Sequence, residues 1–374
     1  MLLLAVSTPL FESMGKSRLR ELMSMPIKLK DQGEWLQHEA LLHDDVLPVY
    51  GSSELTLDVK NRANDLFRHM PTGFQVSPVG GPGNTSLLIA EKLAAMGERI
   101  RGRKIAVILS SSWFFRPGVP DDSYAGNFSP LHAIRLLQDE APDSGLRGRF
   151  LTRMLEFPVT LEKIPSLGIY ARGAEDGGWY SALMRTFLKP LIESEKAKLT
   201  WEDFFSTANE AACIRRSQGD WSPVPQTLDW DSMIGQMEAE EATADPDMPD
   251  RNLVTKNGAH DGEFLAEMRQ SREWGDFTLL LDTLKSFGAK PVLISVPIAG
   301  TGRDRHGVSR TARNVFYQQF ESLCMEYGFQ SVTFSDHDLD DGFTIPRSSH
   351  FTPKGWLYVN RVLDDFYHDR TLKK

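Results

Sequence analysis

The sequence predicts an α/β fold: a three-layer parallel sheet with helices on both faces, interrupted by a helical insertion. Three observations carry this expectation. Between residues 46 and 115, short apolar runs alternate with helix-period segments in a βαβαβ rhythm, the pattern of a parallel sheet. The same rhythm returns between about 277 and 367. Between the two halves, from about 120 to 260, strand signals fade and helical segments broken by Gly and Pro take over.

In order, residues 1–45 are an N-terminal segment. It opens Met1-Leu2-Leu3-Leu4-Ala5-Val6 and soon turns polar. A membrane span needs about 20 apolar residues, and a signal peptide needs a basic leader and a full apolar core. This stretch fits at most a truncated anchor. Residues 46–119 are the first half of the α/β domain. Val46–Tyr50 reads as a buried strand. Glu54–Met70 reads as a helix, with Leu55, Val59, Ala63 and Phe67 at helical spacing. Phe74–Pro78 reads as a short strand, and Thr85–Met96 as a helix entered through Gly80-Gly81-Pro82-Gly83-Asn84. Lys104–Ser110 reads as a strand on the run Ile105 to Leu109.

Residues 120–260 are the helical insertion or lid. Helices are expected over Pro130–Asp139, Leu146–Phe157, Tyr180–Glu193 and Trp201–Arg216. The acidic, Pro-bearing stretch Glu238–Asp250 reads as a solvated loop. Residues 261–374 are the second half. The expected elements are a helix over Phe277–Phe287, a strand over Pro291–Val296, a helix over Thr311–Tyr327, a strand over Ser331–Phe334 and a closing helix over Gly355–Tyr367.

Composition narrows the function. With 41% apolar residues in 374, the chain can bury a sizeable core. A net charge of −9 argues against nucleic acid as a partner, because phosphate binding wants a basic face. Cys213 and Cys324 lack metal-ligand spacing and read as two lone, buried thiols rather than a disulfide. No zinc-type His/Cys cluster and no Walker loop occurs, since Gly80-Gly81-Pro82-Gly83-Asn84 lacks the lysine. Neither a metal nor a cofactor is expected.

The chemistry-bearing stretch is Leu47-Pro48-Val49-Tyr50-Gly51-Ser52-Ser53-Glu54-Leu55. It places a serine hydroxyl at the carboxyl edge of the first strand and at the start of the expected helix. Such folds bind ligands there, and free N–H groups can face an anion. Taken alone, the tetrapeptide Gly-Ser-Ser-Glu reads as a plain helix cap; its position at the end of the first strand is what points to a site. Its distant partner is Ser349-His350-Phe351-Thr352-Pro353-Lys354-Gly355-Trp356, which presents a histidine from a loop at a helix entrance opened by Pro353. One serine and one histidine at opposite ends of an α/β domain fit the wiring of acyl-transfer sites, recognised by roles rather than chain order. Gly80, Gly81 and Asn84 read either as a tight turn with an N-cap or as oxyanion donors. Trp113, after Ser110-Ser111-Ser112, reads either as an edge aromatic or as a wall of the acyl pocket.

These blocks resemble the DltD family, the D-alanine-transfer proteins of teichoic-acid D-alanylation. The resemblance rests on Pro48 to Leu55, on Ser112-Trp113-Phe114, and on Trp274-Gly275-Asp276-Phe277 with Pro291 to Pro297. Tyr327-Gly328-Phe329 and His350 with Lys354-Gly355-Trp356 complete it. It implies a three-layer parallel sheet of SGNH/flavodoxin-like type, with Ser53 as nucleophile, Ser52 as the fallback and His350 as general base. The Gly80-Gly81 turn and the Ser53 N–H would form the oxyanion hole, with Asn84 and Trp113 against the substrate. It further implies a membrane-bound O-acyltransferase and an acyl (D-alanyl) carrier protein as partners, an envelope polymer or lipid as acceptor, and a place on the extracytoplasmic face of the membrane.

The family pattern puts an aspartate three residues before the histidine, where this chain has Arg347. Asp341, or else Asp340, is then the expected acid. Two other functions compete: an SGNH-type esterase or thioesterase releasing acyl groups to water, and a non-catalytic adaptor of the acyltransferase, which Arg347 favours.

Overall fold

Five strands build one parallel sheet in a computed structural model that describes residues 16–140, 144–175, 179–214, 225–243, 257–346 and 348–373. The chain starts with α1 (Lys16–Ser24), α2 (Lys28–Gln32) and α3 (Trp35–Leu42). It continues through β1 (Val46–Gly51), α4 (Ala63–His69), β2 (Gln75–Gly80), α5 (Ser86–Met96) and β3 (Lys104–Leu109). Nine helices are described before the next strand: α6 (Asp121–Asn127), α7 (Pro130–Arg135), α8 (Ser144–Leu155), α9 (Pro158–Leu161), α10 (Pro165–Glu175), α11 (Trp179–Cys213), α12 (Trp230–Thr243), α13 (Asp261–Gln270) and α14 (Glu273–Ser286). The chain closes with β4 (Lys290–Ser295), α15 (Gly300–Arg305), α16 (Arg310–Glu326), β5 (Gln330–Val332) and α17 (Pro353–Tyr367).

The sheet order is β2-β1-β3-β4-β5, and every pairing is parallel. Side chains alternate between faces along each strand. Tyr50, Val79, Ile105, Val107, Leu109 and Leu293 face one core with α5, α14 and α16. Leu47, Val49, Val76, Ala106, Ile108, Val292 and Ile294 face the other with α4, α12 and α17. Both faces are covered, which is why the strands are almost wholly buried and read as unbroken apolar runs. The expected three layers are present. Because β2 lies on one side of β1 and β3 on the other, the strand order reverses at β1, and the crevice beyond the carboxyl ends of β1 and β3 is the place where such sheets bind ligands.

Several expected elements differ. The helix expected over Glu54–Met70 is a single 3-10 turn, Ser53–Leu55, then a loop, then α4. Asn61 sits at φ +68°, outside helical geometry, so the spacing of Leu55 and Val59 with Ala63 and Phe67 does not reflect one helix. The helices expected over Tyr180–Glu193 and Trp201–Arg216 form one continuous helix, α11, which contains Pro190. The acidic stretch from Glu238 is helical to Thr243 within α12, and residues 244–256 lie outside the described residues. The segment before β1 carries three helices, and α1 and α3 pack Leu22, Met23 and Leu36 into a small core with Phe204 of α11. Residues 1–15, on which the anchor expectation rests, lie outside the described residues. Cys324 is buried, but Cys213 is exposed; both are free.

Candidate active site

The turn that carries the two serines is built by close backbone approach. Gly51, the last residue of β1, pairs in register with Gly80, the last of β2. A Cβ on Gly80, which adopts φ +155°, would lie 2.0 Å from the Gly51 carbonyl oxygen. Only glycine fits there. The chain then turns once in 3-10 geometry: the Leu55 N–H donates to the Ser52 carbonyl at 3.2 Å, and the Leu57 N–H to the Ser53 carbonyl at 3.0 Å. A turn this short has no macrodipole of consequence, so local N–H groups alone can face an anion at the serine.

Within this turn the two hydroxyls diverge. Ser52 is buried, and its hydroxyl donates to the Gly81 carbonyl at 3.4 Å. Ser53 is half-buried, and its Oγ lies 2.7 Å from His350 Nε2. Glu54 points inward and is 1% exposed; its Oε2 accepts the Ser52 N–H at 3.2 Å. Burial pushes this carboxyl up to about 7.

His350 arrives on a loop fixed at both ends. Phe343 and Phe351 are buried in the α17-side core. The Ile345 N–H donates to the His350 carbonyl at 2.8 Å, and Thr344 pairs with Phe351. Thr352 caps α17, its hydroxyl accepting the Gly355 N–H at 3.1 Å. Pro353 occupies the first turn, where its missing N–H costs nothing. A Cβ on Gly355 would meet the Phe343 carbonyl oxygen at 2.3 Å, so the helix start can only press against the loop with glycine there. Two amides then tie the serine loop to this helix: Asn61 Nδ2 donates to the Pro353 carbonyl at 3.2 Å, and Asn360 Nδ2 to the Asn61 carbonyl at 2.7 Å.

The other ring nitrogen, Nδ1, is hydrogen-bonded to the Ser348 hydroxyl. Neither carboxylate expected there occupies it. Asp341 is exposed. Asp340 is bound by Lys354 Nζ at 2.8 Å and faces His337 at 3.5 Å. Burial raises the Asp340 carboxyl, but the bonds from His337 and Lys354 outweigh it and hold it at about 2. Arg347 lies outside the described residues. Desolvation lowers the His350 pKa below its ordinary value, which favours the neutral ring at neutral pH. In the tautomer that carries its proton on Nδ1 and donates it to Ser348, Nε2 is left to accept from the Ser53 hydroxyl.

A chain of hydroxyls backs this loop. Ser110, just past β3, donates to Ser349 at 2.7 Å and lies 2.9 Å from Ser112; Ser112 is 3.4 Å from Ser349. The carboxyl end of β3 is thereby joined to the histidine loop. Sequence reasoning missed Ser348, Ser110 and Ser349 as site residues. The signal was the run Ser348-Ser349-His350, which the search for an aspartate passed over.

On the far side of Ser52, Gly80 and Gly81 line a cavity of about 420 Å³ together with Thr56, whose hydroxyl donates to the Ser53 carbonyl at 3.2 Å. Asn84 is buried next to Gly80: its Nδ2 would lie 3.3 Å from a Gly80 Cβ. That Nδ2 donates to Asp31 at 2.9 Å, and Asn84 Oδ1 accepts from Lys92 Nζ at 2.9 Å, so the amide is held in one orientation. Trp113 does not line this cavity. Its ring is half-buried under the Arg116 guanidinium at 4.8 Å, and its carbonyl accepts from Ser271 at 3.2 Å.

The family described as DltD protein matches residues 27–368. The chain belongs to the DltD family. It is 28% identical over 347 residues to Protein DltD of Bacillus subtilis (strain 168), covering 90% of this chain and 86% of that protein. Against Protein DltD of Staphylococcus aureus (strain NCTC 8325 / PS 47), identity is 24% over 340 residues, 89% of this chain and 83% of that one. Against Protein DltD of Lacticaseibacillus rhamnosus it is 22% over 355 residues, 90% and 80%. Membership of the family gives this chain a part in teichoic-acid D-alanylation in the cell envelope. No helix among the described residues is long and apolar enough to cross a membrane.

Proposed function

We propose that this family member is a serine-dependent acyltransferase of envelope D-alanylation. The observation that carries the reading is the 2.7 Å contact between Ser53 Oγ and His350 Nε2, made by residues 297 positions apart at the switch point of the sheet. Ser53 Oγ attacks the carbonyl carbon of an activated D-alanyl ester or thioester while His350 Nε2 takes its proton. The new C–O bond forms a tetrahedral centre whose oxyanion faces donors from the Gly80-Gly81 side and the Ser53 N–H. Its collapse breaks the bond to the leaving thiol or alcohol, which receives the proton from His350. An acceptor hydroxyl on an envelope polymer or lipid then attacks the acyl-serine, gives its proton to His350, and releases Ser53. An acyl carrier protein as donor and a membrane-bound O-acyltransferase as neighbour complete the proposed assembly, on the extracytoplasmic face.

Ser53→Ala is expected to abolish acyl transfer to the acceptor with folding intact, because the hydroxyl is not part of the core. Ser52→Ala is expected to retain it. Mass spectrometry of intact protein after exposure to an activated D-alanyl ester provides the readout, as an acyl adduct on the Ser53-containing peptide. Full activity in Ser53→Ala with a dead Ser52→Ala would overturn the assignment.

A hydroxyl rather than a carboxylate on His350 Nδ1 favours one alternative, a non-catalytic adaptor of the acyltransferase. Its mark is D-alanylation in cells that survives His350→Ala but is lost when the helices between β3 and β4 are disrupted.

A further inference from the structure

The cavity beside the serine turn has one feature that the acyl-transfer step does not use. Asp31, on α2, is 3% exposed and forms part of the cavity wall. Its Oδ1 is fully engaged, accepting from Asn84 Nδ2 at 2.9 Å with Lys92 Nζ at 3.3 Å. Lys92 is itself buried, so the pair lies away from bulk water. Its Oδ2 takes no hydrogen bond among the described residues and faces Gly81, where a Cβ would stand 3.9 Å from it. Lys28 and Asp122, one of each sign, stand exposed at the cavity mouth. Asp31 is therefore the carboxylate of the buried wall, with open acceptor capacity directed across the Gly80-Gly81 backbone.

A carboxylate oxygen that opens toward a cavity is placed to accept from a charged N–H donor in it. We infer that Asp31 Oδ2 receives the α-ammonium group of the acyl chain, so that the cavity selects a cationic aminoacyl group over a neutral acyl group. The inference rests on the reading of Ser53 as the acyl-accepting residue. Ser53 and His350 do not line the cavity, but Gly80, Gly81 and Thr56 beside them do, and the α-ammonium of an acyl-Ser53 would meet Asp31 Oδ2 across this Gly80-Gly81 edge. The subsite also explains why Gly81 carries no side chain: Gly81 has ordinary room for a methyl group, but that methyl would stand between the open oxygen and an approaching ammonium.

The test separates binding from chemistry. D-alanine methyl ester, which carries the ammonium, and N-acetyl-D-alanine methyl ester, which does not, are titrated by NMR into the Ser53→Ala protein. The cationic ester is expected to bind about tenfold tighter or more, as one charge-assisted hydrogen bond gives. Asp31→Asn is expected to bring the two affinities together. Gly81→Ala, which leaves the Asp31–Lys92 pair untouched, is expected to weaken the cationic ester several-fold, and it decides the matter should Asp31→Asn lose its cooperative thermal melt. Equal affinity for the two esters, or a preference that survives both substitutions, overturns the subsite. Should the preference vanish with Asp31 while the unsubstituted protein forms no acyl-Ser53, the subsite stands and the covalent step alone fails.

Discussion

Ser348→Ala removes the hydroxyl from His350 Nδ1, and the proposed mechanism fixes both the sign and the size of the result. In the proposed mechanism the Ser348 hydroxyl accepts from a proton on Nδ1, so that the lone pair on Nε2 faces Ser53. A neutral hydrogen bond of this kind contributes about 1 kcal/mol net, and about 1.4 kcal/mol is a tenfold change in rate. Acylation of Ser53 should thus slow about five- to tenfold, far less than the roughly 10,000-fold lost when a serine protease triad loses its carboxylate. The assay is the kcat/KM of acyl-Ser53 formation from an activated ester between pH 5 and 9, alongside a thermal melt. Ser348→Asp supplies the opposite perturbation. With desolvation lowering His350 and no carboxylate beside it, the acid limb of the parent profile should lie below the ordinary histidine value. A carboxylate at Nδ1 favours the imidazolium and should move that limb up by about 1 to 2 pH units. An unchanged rate in Ser348→Ala together with an unmoved limb in Ser348→Asp would refute the argument that the Nδ1 partner orients the base.

Two further substitutions probe the rim of the sheet. Gly80→Ala forces a methyl group against the Gly51 carbonyl at a backbone angle that side chains rarely adopt, so chemical denaturation should show a loss of about 2 kcal/mol or more. Gly275→Ala, in α14 with open space around it, should instead gain about 0.5–1 kcal/mol; equal effects at the two sites would contradict the close-approach argument. Glu54→Gln tests the buried carboxyl beneath the serine turn. Its pKa is raised in the folded state from about 4.5 to about 7, so the folded protein holds that proton more tightly. The stability linked to it is present below about pH 4.5 and is lost as pH rises to about 7, by about 3 kcal/mol across the window. Glu34, Glu91 and Glu273 are raised by burial in the same sense, so the measurement is a difference: the variant should gain on the parent between pH 5 and pH 8, and a constant gap between the two would count against the buried-carboxyl reading.

How much of this was legible in the sequence follows from which forces act locally. Strands buried on both faces must be apolar at consecutive positions, so Val46–Tyr50, Ile105–Leu109 and Pro291–Ile294 announced themselves, and their alternation with helices implied a parallel sheet. The segment after Ser53 did not announce itself. Leu55 packs into the core from a 3-10 turn and Ala63 from the start of α4, so their spacing imitates one helical face although Asn61 breaks the chain between them. That Ser53 and His350 would meet was legible because one follows the glycine that ends β1 and the other precedes the proline that opens α17, on one edge of the sheet. The partner of Nδ1 was not, since it depends on the path of a loop whose turn is set by long-range contacts: Lys354 drawing Asp340 away and Ser110 anchoring Ser349. The same holds for Asp31. Nothing in Lys28–Gln32 marks a site, and its carboxylate acquires meaning only where α2 meets Lys92 and Asn84 behind Gly81.

The consequence for the site is that its parts are stabilised from different directions. Ser53 is placed by the glycine-to-glycine approach of β1 and β2, and His350 by two buried phenylalanines and a capped helix. Two links join them: one runs through Asn61 and Asn360, the other through Ser110 and Ser349 at the end of β3. A change in the Asn61–Asn360 link can therefore separate the hydroxyl from the imidazole while both cores stay intact. Asn360→Ala tests this directly: it removes the part-buried bond to the Asn61 carbonyl, at a cost of about 0.5 to 1.5 kcal/mol. Acylation of Ser53 should fall further than the modest drop in stability accounts for. Loss of stability with an unchanged acylation rate in the folded protein would show that the serine and histidine are held together without the Asn61–Asn360 link.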